Sequence, residues 1–111
     1  MKKTIRIDDV EIEMKASALT PNLYKEKFGG DLLVEMQNIS NVAKDGHVSE
    51  SVIDPLQKCA YIMAKQANPE LTDEYDEWLD QFSMFGIIQA MPQITELWGN
   101  NLKGTSVSKK K

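Results

Sequence analysis

Five carboxylates within eight residues, Asp73, Glu74, Asp76, Glu77 and Asp80, make the densest group of chemically capable side chains in this 111-residue chain. A carboxylate pair can serve as general acid and base when a pocket splits the two pKa values, and spaced oxygen ligands can hold calcium. The run lacks the alternating Asp/Asn ligands, the central glycine and the bidentate Glu of a calcium loop. At helical spacing Asp73, Glu74, Glu77 and Asp80 lie opposite Leu71, Tyr75, Trp78, Leu79 and Phe82. This is the pattern of a solvated acidic helix face, which offers no pocket to separate two pKa values.

The other reactive residues are isolated. His47 is the only histidine and stands in a polar, glycine-containing stretch without the clustered His, Cys or carboxylate ligands that a metal needs. Cys59 falls among the apolar positions of a helix, where a thiol usually serves as a small core hydrophobe. Gly29-Gly30-Asp31 lacks the Lys and Ser/Thr of a phosphate loop. No catalytic residue, metal or cofactor is expected, and the chain reads as non-enzymatic.

What remains is apolar surface. From Phe85 to Trp98 the sequence is apolar around most of a helix circumference, so that helix must be covered by its own domain or by a partner. Trp78, Phe82, Phe85, Ile87, Ile88, Met91, Ile94 and Trp98 are therefore the candidate partner-binding residues. For Trp78, Leu79 and Phe82 core packing is the competing reading. Between Gln66 and Leu102 stand seven acidic side chains and no Lys or Arg. An acidic rim of this kind keeps free protein dispersed and steers a basic partner.

The elements that position these residues follow from periodicity and caps. Ile5, Ile7, Val10, Ile12 and Met14 alternate with charged residues about Asp8-Asp9, which predicts a β-hairpin over 4–16 that must lay its apolar face on helices. Thr20-Pro21 reads as a hydroxyl cap followed by a first-turn proline, and Gly29-Gly30 as the stop of that short helix. Asp31 caps a second helix carrying Leu32, Leu33, Met36, Ile39 and Val42, with Gly46 closing it. A polar loop over 44–51 leads to a third helix, begun at Asp54-Pro55 or earlier near Ser49, with Leu56, Cys59, Ala60, Ile62 and Met63 on its apolar side and a stop at Asn68-Pro69. Thr72 caps the acidic helix, and Pro92 kinks or restarts the last one.

The fold class is mainly α (α+β): a short N-terminal hairpin packed on a compact bundle of four to five helices. Residues 1–102 form a single domain, and 103–111 form a flexible basic tail too poor in apolar area to repay its ordering. A net charge of −4 argues against nucleic acid as partner. No apolar run approaches the ~20 residues of a bilayer span, no leader pattern follows Met1, and a single cysteine suits a reducing cytosol.

One group of stretches resembles a known family. The hairpin, Ala18-Leu-Thr-Pro-Asn-Leu-Tyr-Lys-Glu-Lys-Phe-Gly-Gly-Asp-Leu-Leu33, Asp54-Pro-Leu-Gln-Lys-Cys-Ala-Tyr-Ile-Met-Ala-Lys65 and Tyr75-Asp-Glu-Trp-Leu79 together look like a tail assembly chaperone of long-tailed phages or prophages of Gram-positive bacteria, over roughly residues 4–102. These are packing patterns, not catalytic signatures. The resemblance implies a helper of the host cytoplasm, absent from the mature virion, that binds the tape measure protein and recruits tail tube subunits. It also implies a longer product made by ribosomal frameshifting, for which Lys109, Lys110 and Lys111 would supply an A-rich slippery site. The reading from the residues alone keeps two alternatives open: a small acidic helical adaptor or regulatory module, and a homo-oligomer closed through the spare apolar helix face.

Overall fold

The computed structural model describes residues 1–43 and 50–103. The alternating N-terminal segment forms an antiparallel hairpin of β1 (Lys2–Ile7) and β2 (Val10–Lys15). Ile7 faces Val10, Ile5 faces Ile12 and Lys3 faces Met14 across the ladder, with Asp8-Asp9 as the two-residue turn. Asp8 adopts φ 57°, a left-handed conformation that Asp tolerates better than most residues. Ile5, Ile7 and Met14 are fully buried on one face. Each such burial is worth about 1.5–3 kcal/mol, which anchors a hairpin that would be marginal alone.

Five helices follow among the described residues: α1 (Thr20–Phe28), α2 (Leu32–Ala43), α3 (Glu50–Ala67), α4 (Tyr75–Asp80) and α5 (Met84–Lys103). The expected hairpin-plus-helices architecture is the one observed. The helix covered on every side, however, is α3 and not the last one. Its residues Cys59, Ala60, Tyr61, Ile62, Met63 and Ala64 are buried in succession, and β2, α1, α2, α4 and α5 all pack against it. Small side chains at Cys59, Ala60 and Ala64 let neighbours approach from several directions. The helix is already formed at Glu50, in keeping with the earlier of the two expected starts, near Ser49, so Pro55 lies inside it and does not start it.

Several caps differ from expectation. Thr20 is the first residue of α1, not its cap, and its hydroxyl makes no capping bond. It accepts from Ser17 N at 3.0 Å and donates to Gln66 Oε1 at 2.7 Å, while Gln66 Nε2 donates to Ser17 Oγ at 2.7 Å. Asn101 Nδ2 donates to Ser17 O at 3.0 Å, so the exit of the hairpin is tied to α3 and α5 together. Gly29, at φ 83°, ends α1, and the Asp31 carboxylate accepts from Leu33 N at 3.1 Å to cap α2, both as expected. Leu33, placed on the apolar side of α2 by its spacing, is exposed instead.

The acidic helix is shorter than its periodicity predicts. Leu71–Glu74 are not helical, and Glu74, not Thr72, precedes α4, its N–H bonded to Glu77 Oε1 at 3.1 Å. Tyr61 Oη donates to Asp73 O at 2.6 Å and Lys27 Nζ pairs with Glu74 Oε1 at 2.8 Å, which holds this segment extended across α1 and α3. An aromatic chain from Phe28 to Tyr75, Tyr61, Trp78 and Phe82, with centroids 5.1–5.6 Å apart, fixes α4 against α3. The last helix is continuous through Pro92, without a restart, and extends past Trp98 to Lys103. Of the loop expected over 44–51, residues 50 and 51 belong to α3, and of the tail expected over 103–111, Lys103 ends α5; the rest of both, with Gly46, His47 and Lys109–Lys111, lies outside the described residues.

Candidate partner-binding surface

The start of α5 is set by a contact that spans most of the chain. After α4, Gln81 Nε2 donates to Trp78 O at 2.9 Å and the chain turns into Ser83. Ser83 caps α5: its Oγ accepts from Gly86 N at 3.0 Å and its carbonyl accepts from Ile87 N at 3.1 Å. Asp8 at the hairpin tip in turn accepts from Ser83 N at 2.8 Å and from Ser83 Oγ at 2.7 Å. These two bonds, the backbone one foremost, hold the Asp8 carboxyl below the usual carboxylate range. The charge also sits where the helix dipole favours an anion.

Anchored in this way, α5 turns Ile87, Ala90, Ile94, Leu97 and Trp98 inward onto the hairpin and α3. The opposite side leaves Met84 56%, Phe85 68% and Ile88 38% exposed. Beside them runs a groove of about 240 Å³ between α4 and α5, lined by Gln57, Asp76, Leu79, Asp80, Phe82, Ser83, Met84 and Ile87. Its floor is apolar and its α4 wall is acidic. Asp76, Glu77 and Asp80 belong to none of the ion pairs among the described residues, whereas Asp9, Glu13, Asp54, Glu74 and Glu96 each have one.

The eight residues picked out by sequence therefore divide. Phe85 and Ile88 are exposed, Phe82 and Met91 are half-buried, and Trp78, Ile87, Ile94 and Trp98 are buried in the core. For these last four the partner-binding assignment is corrected: they meet other parts of the same chain, because the hairpin and α3 supply the cover that helix counting alone left wanting. Met84 was missed, as were exposed Leu33, Val34 and Leu102. The signal that would have separated the faces of α5 is the pair Gly86 and Ala90, one turn apart. Small residues mark the side on which another backbone comes close.

A second apolar groove, about 390 Å³, lies between α2 and the end of α5 and is lined by Leu33, Met36, Gln37, Thr95, Trp98, Gly99 and Leu102. A third, about 490 Å³, runs between α1 and α3 past Leu23, Lys27, Tyr61, Ile62 and Lys65. Cys59 is fully buried and burial pushes its thiol up to about 12, far from the thiolate that a nucleophile requires. Tyr24, whose Oη donates to Glu35 Oε1 at 2.5 Å, is also raised, by burial first and then by that carboxylate. Among the described residues no group of three or more His, Cys, Asp or Glu could hold a metal ion, and no helix is long and apolar enough to cross a membrane. Comparison with protein-family models, with curated proteins and with solved structures found no match for the chain.

Proposed function

We propose that this chain is a non-enzymatic tail assembly chaperone of a long-tailed phage or prophage. It acts in the host cytoplasm and leaves before the virion is complete. It binds the tape measure protein and brings tail tube subunits to it by covering exposed apolar helix surface. The observation that supports this reading is the Met84–Phe85–Ile88 patch, held outward on a helix whose opposite face is locked into the core. Exposed aromatic and long aliphatic side chains beside a groove are what a docking surface requires.

The test is co-purification of the chain with a tape measure fragment and with tail tube protein. Both should be captured. Phe85→Asp with Ile88→Asp should release them while the helical circular dichroism spectrum is retained, and capture of neither protein by the wild-type chain would sink the reading. The acids of α4, in no ion pair among the described residues, also suit an acidic adaptor or regulator. Neighbouring genes separate the two: tail structural genes and one very long helical gene for the chaperone, a nuclease or repressor for the adaptor.

A further inference from the structure

We propose that the α4–α5 groove receives an amphipathic helix whose apolar stripe is flanked by lysine or arginine. The inference rests on the reading of this surface as the docking face and specifies the chemistry of what docks. Leu79, Phe82 and exposed Met84 give the groove its apolar lining, and Asp76 and Asp80 stand on its α4 side. A stripe of apolar side chains at i, i+3 or i+4 and i+7 matches a floor of that shape. Basic residues beside the stripe meet carboxylates that have no cation of their own within the described fold.

Other occupants fit less well. The groove is walled by helices and presents no free strand edge, so an extended peptide gains no ladder of backbone bonds there, whereas a helix arrives with its backbone already paired. At about 240 Å³ and open to solvent it falls below the roughly 300 Å³ at which small-molecule pockets begin. Nucleic acid and anionic lipid headgroups carry the wrong sign for Asp76, Glu77 and Asp80. A second copy joined by a two-fold axis through this face would set the same acids against themselves.

Two labelled helical peptides with one Leu/Phe stripe, flanked by Lys in one and Glu in the other, test the proposal against the full chain by fluorescence anisotropy. The Lys peptide should bind at least about tenfold more tightly, weakening as salt rises. Asp76→Lys with Asp80→Lys should reverse that preference, and Met84→Asp should remove binding of both peptides. Equal binding of the two peptides would overturn the charge assignment. Survival of Lys-peptide binding in the Met84→Asp variant would overturn the groove. A dimer in sedimentation that Met84→Asp dissolves would give the face to a second copy. Equal peptide binding with intact tape measure capture leaves the chaperone reading standing alone; selective Lys-peptide binding without tape measure capture leaves only the groove and its charge preference.

Discussion

Asp8 and Ser83, 75 residues apart, meet through two hydrogen bonds of 2.8 and 2.7 Å, so that the tip of the hairpin finishes the N-terminus of α5. Ser83 alone satisfies one of the free N–H groups there, that of Gly86; Asp8 positions Ser83 and adds a negative charge. The direction in which Phe85 and Ile88 point is thereby coupled to the register of a strand pair at the other end of the chain.

Asp8→Asn should lower the melting temperature at neutral pH. Because the folded-state pKa lies below the ordinary aspartate value of 3.8, the carboxylate's contribution is complete above about pH 4 and is lost as pH falls through the lower folded value. Melting temperatures measured across this range should therefore converge for wild type and variant as acid is added. A constant gap down to the lowest pH would show that the charge plays no part.

Gly86→Ala and Gly99→Ala should act in opposite directions although both lie in α5. A Cβ at Gly86 would overlap Asp8 Oδ1 and stand 3.0 Å from the Asp8 backbone N, whereas one at Gly99 meets nothing within 4 Å. Overpacking at Gly86 should cost about 1–3 kcal/mol, outweighing the helix-propensity gain, while Gly99→Ala should stabilise by about 0.5–1 kcal/mol. Chemical denaturation of the two variants checks both signs.

Ile87 and Phe85 are two positions apart and should separate stability from binding. Ile87→Ala removes a side chain only 2% exposed and should cost about 2–5 kcal/mol. Phe85→Ala alters a side chain in open solvent and should stay within about 0.5 kcal/mol of wild type while weakening partner capture. Urea titration paired with the co-purification assay reads both.

Cys59 should resist aromatic disulfide reagents in the native protein and react stoichiometrically in denaturant. Its thiol has no exposed surface and stays protonated at neutral pH. Rapid labelling without denaturant would mean that α3 opens far more readily than a core helix should.

Local chemistry was legible in the sequence. The alternation about Asp8-Asp9 sets the hairpin, the Gly29 stop and Asp31 cap set α1 and α2, and the spacing of apolar residues sets the existence of every helix, because caps and periodicity act between residues a few positions apart. What lies at longer range was not. That α3 rather than α5 is enclosed, that Glu74 rather than Thr72 starts α4, and that Trp78, Ile87, Ile94 and Trp98 turn inward while Phe85 and Ile88 turn out depend on contacts between distant segments. Apolarity states that a residue should leave water; which neighbour covers it is decided by the Asp8–Ser83 contact, the Gly86 approach and the aromatic chain to Tyr61, which exist only once the chain is folded.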